Sequence, residues 1–348
     1  MRSPEVTSGE PTVTRKRAIW MDVVRGLAII AVIYGHVENV AKIEAVFERE
    51  DWMVTTNMTL VLLRMPMLMF LSGMLVPRSI AKGWKMFLPG KFTKLAWPYA
   101  VWIAVFFTVV WIRGGAELSQ IPMEIINPEN PNMTPLWYLR NLFFYYLIAQ
   151  ALTWLRLPLW SGAALGFGIC VYQVIDNPQI DTTPLRWGYL MTFFFLGCLT
   201  MQHLDKISRF CRKPVVTLLL AVAFVIPVYI YLQGIAPVRY RPEFIWGPIA
   251  FICLILAFAP LLKSSRYTKP LQFIGRYSLY YYVMHYPIFL VYAWWIAPHV
   301  EIGTAHYPVM MAIGLIIPTL TVYACQKVPA LRWIFFELPW PRKKASAR

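Results

Sequence analysis

Long apolar runs alternate with short polar and basic segments along the chain, and this pattern predicts a bundle of membrane-spanning helices. Hydrophobic residues make up 58% of the 348 residues and charged residues 14%, whereas soluble domains are about 45–50% apolar. A helix that crosses the hydrocarbon core needs about 20 mostly apolar residues. The runs of this kind predict an all-α, polytopic integral membrane protein with ten spans, at 19–40, 57–77, 93–112, 136–155, 158–175, 187–201, 215–233, 244–262, 277–297 and 307–328.

The distribution of positive charge predicts that both termini lie in the cytoplasm. With the N-terminus inside, 24 of the 33 Lys and Arg residues fall in inside segments and six in outside loops. Such an excess is the positive-inside signal of inner (plasma) membrane proteins, and it supports an even number of spans. Gly and Pro lie within the fifth and sixth runs and Asn177 lies between them, and nine spans would move the C-terminus to the other side.

The polar ends and the absence of long loops divide the chain simply. We expect 1–18 to be a disordered cytoplasmic tail, 19–330 to be the membrane domain, and 331–348 to be a basic cytoplasmic tail. The first eighteen residues lack the apolar region of a cleavable signal peptide. The net charge of +16 is explained by topology and contact with the lipid bilayer rather than by nucleic-acid binding, because the cations are spread over short segments. No CxxC or HExxH pair suggests a metal.

The first span carries three polar residues on one stripe. Asp22 precedes Arg25 by three positions, which allows the two to pair, and Arg25 precedes His36 by eleven. Eleven residues amount to about 20° beyond three full turns and roughly 16 Å of helix. Ionisable residues within a membrane helix are functional candidates. The alternative is an interfacial Asp22–Arg25 pair and a hydrogen-bonded helix contact at His36.

Two further arginines fall within predicted spans. Arg64 precedes Pro66, and proline kinks a helix by freeing a carbonyl one turn earlier. Arg64 therefore either holds that carbonyl or lines a polar cavity. Trp137 and Tyr138 suit a membrane interface, and Arg140 then extends towards the headgroups.

The inside segment after the second span is unusually basic. It includes Lys91 and Lys94, followed by Pro98 and Tyr99. Topology and anionic lipid explain such a segment. The alternative is a docking surface for a polyanionic cytosolic ligand that carries phosphates.

The ninth span presents a second imidazole beside hydroxyl groups. Ser278, Tyr281, Tyr282 and His285 recur at i, i+3, i+4 and i+7, so they share one helix face. Neighbouring hydroxyls can fix the tautomer of the histidine. Such a cluster is either a structural hydrogen-bond node or part of a site.

Four short motifs follow one another along the chain. They are DxxRGxA at 22–28 with a histidine at 36, MPxxxxLSG at 65–73, WYL at 137–139 and SLxxYxxHxP at 278–287. In these motifs and in their order, the chain resembles the acyltransferase-3 family of integral membrane O-acyltransferases, which modify cell-envelope sugars and lipids. The resemblance covers roughly residues 18–330. Lys91 and Lys94 depart from the family pattern, because many members carry two arginines there and lysine lacks the bidentate fork.

The resemblance implies about ten helices, a cytosolic acyl-CoA donor, most often acetyl-CoA, and an acceptor presented from the other face. Arg25, with Asp22 beside it, would receive the donor, and His36 would act as general base on the acceptor hydroxyl. Arg64 or Tyr282 would stabilise the oxyanion. Direct transfer and an acyl-histidine intermediate both stay open. The implied donor-binding set is Arg25, Lys91, Lys94, Arg64, Ser278, Tyr282 and His285.

We therefore expect a membrane O-acetyltransferase that acts on a hydroxyl of a cell-envelope glycan or glycolipid, with no metal. No acidic partner for His36 is evident, because Glu38 lies on another face and Asp22 is too far along the helix. The alternative function is a transporter or flippase of a lipid-linked glycan. A structural or sensory scaffold is a third possibility.

Overall fold

The computed structural model describes residues 19–114, 136–180 and 182–339, and all the regular structure in these ranges is helical. A short π-helical segment, Phe92–Ala96, joins the fifth α-helix to the sixth. The α-helices of the described ranges are α1 (Ile19–Ile43), α2 (Asp51–Val61), α3 (Arg64–Gly73), α4 (Val76–Ile80), α5 (Trp84–Lys91), α6 (Trp97–Ile112), α7 (Trp137–Trp154), α8 (Trp160–Asp176), α9 (Thr182–Thr200), α10 (Leu204–Cys211), α11 (Pro214–Leu232), α12 (Trp246–Phe258), α13 (Lys269–Arg276), α14 (Ser278–Trp295), α15 (His306–Lys327) and α16 (Pro329–Phe335).

Each of the ten apolar runs coincides with a helix or with a helix that is locally interrupted. The all-helical class is thereby confirmed for the described ranges. Six helical segments within the described ranges are long and apolar enough to cross a membrane: Ile19–Ile43, Asp51–Ile80, Trp84–Ile112, Pro214–Leu232, Pro242–Leu261 and Gly303–Lys327. The other four predicted spans coincide with helices that are shorter or less apolar. The count of ten spans and the orientation of the termini therefore stay predictions.

Helix α1 lies at the centre of the bundle, where it contacts α2, α3, α13, α14 and α15. Small residues allow this packing. A Cβ atom on Gly26 would collide with the backbone carbonyl of Leu271, and one on Gly275 would collide with that of Asp22. The backbones of α1 and α13 therefore touch, and this close approach fixes the N-terminal half of α1.

The second apolar run is a broken helix. Helix α2 ends at Val61, a turn follows at Leu62 and Leu63, and α3 begins at Arg64. Pro66 lies in the first turn of α3, where its missing N–H is harmless. The break places Arg64 at the start of a half-helix, directly beside α1.

The outer helices differ sharply from this centre. In Pro214–Leu232 only 6% of the apolar stretch is buried inside the protein, whereas in Asp51–Ile80 the buried share is 78%. An apolar helix that the protein leaves uncovered needs lipid around it. Helix α11 is therefore a lipid-facing element, whereas α1 and α3 form the interior.

The C-terminal segment packs against α6. The indole N–H of Trp102 donates to the carbonyl of Phe335 (2.9 Å), and the ring of Phe336 stacks on Tyr280 with centroids 3.7 Å apart. The first part of the predicted basic tail thus lies on the helical domain. The tail at 1–18, most of the loop at 113–135 and residues 340–348 lie outside the described residues, so the predicted domain bounds stay predictions.

Candidate active site

Two histidines from distant parts of the sequence meet at the centre of the bundle. His36 projects from α1 and His285 from α14, and their ring centroids are 5.1 Å apart. The ring of Tyr286 lies edge-on to His36 at 5.2 Å. His285 is completely buried, whereas His36 keeps partial exposure. The sequence predicts each imidazole separately, and the structure places them in one cluster.

The hydrogen bonds of this pair are incomplete. Nδ1 of His285 lies 2.7 Å from the backbone carbonyl oxygen of Tyr281. A carbonyl only accepts, so Nδ1 carries the proton and Nε2 is left as an acceptor. That Nε2 and Nδ1 of His36 are both sealed from solvent without a hydrogen-bond partner among the described residues. Buried polar atoms are normally paired, so two orphaned nitrogens on adjacent rings mark this place.

Hydroxyl groups continue the polar cluster towards the N-terminal end of α1. The ring of Tyr282 packs 5.1 Å from that of Tyr138, whose hydroxyl lies 3.3 Å from that of Ser72. The Tyr282 hydroxyl is another sealed atom without a partner in the described ranges. Ser72, Tyr138 and Tyr282 come from three of the four sequence motifs. Tyr138 is buried among protein side chains, and its position at the membrane interface stays a prediction.

The predicted polar face of α14 divides in two. Tyr281 turns away from the histidines, and its hydroxyl bonds to that of Thr319 at 2.6 Å. Ser278 is the first residue of α14 and is half-buried. Only Tyr282 and His285 of this face therefore join the central cluster.

Arg64 binds both to α1 and to the first half of its own broken helix. One guanidinium nitrogen, Nη1, donates to the carbonyl of Ala31 (3.0 Å) and to the side-chain oxygen of Asn57 (2.8 Å). It passes over Gly35, where a Cβ atom would overlap with it. The idea that Arg64 holds the carbonyl freed by proline is thus replaced by a bond to the neighbouring helix. Arg64 stands beside His36 and is one of its electrostatic neighbours.

A polar chain extends from Arg64 to the C-terminal end of α1. The amide nitrogen of Asn57 donates to Glu38 (2.6 Å), and Arg49 forms an ion pair with the same carboxylate. Glu38 is buried but directed at these partners. It therefore lies away from His36, as the helix periodicity predicts.

Arg25 occupies the opposite end of α1. Its guanidinium pairs with Asp22 at 3.9 Å, as the spacing predicts. The phenols of Tyr138 and Tyr146 are electrostatic neighbours of Arg25. A polar track thus follows α1 from Arg25 through the hydroxyls to His36.

The two predicted donor lysines have different surroundings. The Lys91 ammonium lies 3.4 Å from the ring centroid of Tyr146, which is close for a cation–π contact. The Lys94 side chain is 59% exposed and pairs with Glu337 of the C-terminal segment at 3.5 Å. Lys91 therefore joins the Arg25 end of the track through Tyr146, and Lys94 does not.

Several members of the site escape sequence reasoning. Asn57 precedes Arg64 by seven positions, a helical spacing that points to one face, but the break between α2 and α3 hides the relation. Arg239, an electrostatic neighbour of both His36 and Arg64, comes from an irregular segment with no motif. Arg140, in contrast, already stands out in the sequence. It is half-buried, and its Nε donates to the side-chain oxygen of Asn141 (3.2 Å).

Among the described residues, no group of three or more His, Cys, Asp or Glu side chains lies close enough to hold a metal ion. The chemistry that this arrangement offers is that of a buried imidazole with an arginine and phenols around it. Such groups move a proton and stabilise a developing negative charge.

Comparison with protein-family models matches residues 18–323 to one family, described as "Acyltransferase domain". No curated protein and no solved structure matches the chain. The family match covers nearly the whole chain and includes every element that contributes to the polar track.

Proposed function

The chain belongs to the acyltransferase-3 family, and from this premise we propose that it is a multi-pass inner-membrane O-acetyltransferase. In this proposal it moves an acetyl group from cytosolic acetyl-CoA to a hydroxyl of a cell-envelope glycan or glycolipid. The family match and the apolar helices support a membrane acyltransferase. The identity of the donor, the identity of the acceptor and the location in the inner membrane are proposed beyond that support.

The contact between His36 and His285 carries the proposal. An imidazole at the centre of an apolar bundle destabilises the fold, so such a residue is a candidate for a functional role. A second imidazole lies 5.1 Å from that of His36. Nδ1 of His36 is sealed from solvent, which leaves Nε2 as the ring nitrogen for a substrate hydroxyl.

The donor enters at the Arg25 end in this proposal. With the N-terminus inside, Arg25 and Lys91 both lie on the cytosolic side, where acyl-CoA is found. Their positive charge suits the phosphates of the donor, and the thin pantetheine arm then follows the track of hydroxyls. The separation of roughly 16 Å between Arg25 and His36 along a helix is comparable with the length of that arm.

The acetyl transfer needs one proton acceptor near the thioester. Nε2 of His36 takes the proton of the acceptor hydroxyl while the oxygen of that hydroxyl attacks the thioester carbonyl. The C–S bond then breaks, the ester is released, and the proton on His36 passes to the CoA thiolate. Arg64 or the Tyr282 hydroxyl is placed to stabilise the oxyanion.

An acyl-histidine intermediate stays open as an alternative. His36 would then attack the thioester itself, and the acceptor hydroxyl would attack the acyl-imidazole in a second step. This route gives ping-pong kinetics, whereas direct transfer requires both substrates to be bound together.

The His36→Ala variant tests the proposal. We expect it to lower the rate of acetyl transfer from radiolabelled acetyl-CoA by about 10²–10⁴-fold, the usual contribution of a general base. The assay uses purified full-length protein in nanodiscs with glycan and glycolipid extracts from cells that lack the gene, and mass spectrometry identifies the acetylated product. His299→Ala, at an exposed loop histidine, is the matched control and should keep full activity.

A fully active and correctly folded His36→Ala protein would contradict the proposal. A wild-type protein that moves a lipid-linked glycan across the nanodisc without acetylating it would instead support a transporter. Stabilisation against heat by acetyl-CoA supports donor binding, because a ligand of the native state raises apparent stability.

A further inference from the structure

We propose that His285 is a positioning residue that fixes the tautomer of His36. In the reactive state, Nε2 of His285 accepts the proton carried by Nδ1 of His36, directly or through one water molecule. This leaves Nε2 of His36 unprotonated and directed at the acceptor hydroxyl. The inference rests on the proposed function, in which His36 is the base.

The tautomer of His285 follows from its own helix. Its Nδ1 lies 2.7 Å from the carbonyl oxygen of Tyr281, one turn earlier in α14. This bond requires a proton on Nδ1, so the neutral ring has its lone pair on Nε2. Nε2 is also the ring atom farthest from the backbone. The helix therefore presents an acceptor on the outer edge of a completely buried imidazole.

The orphaned nitrogens of the two rings are complementary. Nε2 of His285 and Nδ1 of His36 are both sealed and lack partners among the described residues, and the rings are neighbours at 5.1 Å. A buried nitrogen left unpaired has lost its bond to water without gaining another, which destabilises the folded state. A proton on Nδ1 of His36 satisfies both atoms at once, whereas a proton on its Nε2 satisfies neither.

No carboxylate in the described part of the chain takes this role. Glu38 is directed at Asn57 and Arg49, and Asp22 pairs with Arg25 near the other end of α1. The electrostatic neighbours of His36 are His285 and the cations Arg64 and Arg239. A neutral imidazole orients the base without burying another charge, and an unpaired buried charge is far more costly than a hydrogen-bonded neutral group.

Two substitutions at His285 separate positioning from structural support. His285→Asn places an amide near the position of Nδ1, so it keeps a donor for Tyr281 but loses the outer acceptor. His285→Gln places an amide oxygen near the position of Nε2, so it restores the acceptor. If His285 positions His36, kcat should fall on the order of 10²-fold for Asn and recover at least about tenfold for Gln, while KM for acetyl-CoA changes less than about twofold.

A structural role predicts the reverse order, because Asn would then preserve the bond to Tyr281. Equal kcat values for Asn and Gln, or a more active Asn variant, overturn the inference. His306→Gln, at another buried histidine, is the matched control and should keep the wild-type kcat.

Nitrogen NMR of the ¹⁵N-histidine-labelled protein gives a readout independent of turnover. The signal that disappears in His36→Ala belongs to His36, and we expect it to show a protonated Nδ1 in the wild type and a mixture of tautomers in His285→Asn. A wild-type signal with the proton on Nε2 overturns the inference. If His36→Ala is fully active, the proposed function fails, whereas the tautomer of His36 still tests the contact with His285.

Discussion

Two buried histidine centres of this molecule have opposite hydrogen-bonding states. At the middle of α14, His285 faces His36, and one ring nitrogen of each is sealed without a partner in the described ranges. Near the end of α14, the hydroxyl of Tyr292 meets Nδ1 of His306 at 2.7 Å. Both centres join α14 to another helix, so packing alone does not explain the difference.

The difference separates a structural histidine from a functional one. A paired imidazole such as His306 contributes a net hydrogen bond of about 1 kcal/mol to folding. An imidazole left with an unpaired nitrogen destabilises the fold, and it persists where a substrate, a proton or a water molecule completes it. His36 and His285 fit the second description.

Apart from substitutions of the two histidines themselves, the largest effect is expected from a change that displaces the arginine beside His36. In Gly35→Ala, the added Cβ overlaps with Nη1 of Arg64 and with the side-chain oxygen of Asn57. Arg64 must move, which breaks its bond to the carbonyl of Ala31. A displacement of about 1 Å in such a site costs about 10²-fold in rate, so we expect kcat for acetyl transfer to fall by that order.

Gly168→Ala is the matched control, because the added Cβ points into open space within α8. It should keep the wild-type kcat. If Gly35→Ala is as active as Gly168→Ala, Arg64 has no part in the reaction, and the unpaired histidines alone would distinguish the centre. Both variants are measured at saturating acetyl-CoA.

Helix positions and the face of α1 could be predicted from the sequence because both depend on local periodicity. The pairing of Asp22 with Arg25 needs only a three-residue spacing, and it is present. Each of these predictions lies within one helix or on its surface.

The meeting of His36 with His285 could not be predicted, because 249 positions separate them and periodicity fixes a face but not its partner. The break at Leu62 and Leu63 does have a local signal, since it lies one turn before Pro66, but that signal does not predict that Arg64 binds to α1. The burial of Tyr138 within the protein could not be predicted for a related reason. An aromatic side chain at a helix end suits both an interface and a buried contact, and only the neighbouring α3 decides between them.

A smaller effect is expected from the two predicted donor lysines, of which one is enclosed and the other exposed. Lys91 is held against Tyr146, whereas Lys94 is exposed and pairs with Glu337. If Lys91 meets a donor phosphate, Lys91→Ala should raise KM for acetyl-CoA on the order of tenfold, since a charged hydrogen bond contributes about 1.5–3 kcal/mol. Lys94→Ala should change it less than about threefold, because exposed ion pairs contribute little.

Initial rates over a range of acetyl-CoA concentrations give both KM values, with kcat as the internal control. Equal changes in KM for the two lysines would mean that the donor binds the whole basic surface. A larger change for Lys94→Ala would show that the donor displaces Glu337 from Lys94.

The smallest effect on catalysis is expected at the paired centre. Tyr292→Phe removes the hydroxyl that meets His306 and leaves a buried ring nitrogen without its partner, which costs about 1–3 kcal/mol of stability. The apparent unfolding temperature in nanodiscs should therefore fall while kcat stays at the wild-type value. His285→Asn should behave in the opposite way: it keeps the donor for the Tyr281 carbonyl, so the unfolding temperature should change little, and it loses the outer acceptor, so kcat should fall. If Tyr292→Phe lowers kcat without lowering the unfolding temperature, the pairing of a histidine does not distinguish structure from function in this fold.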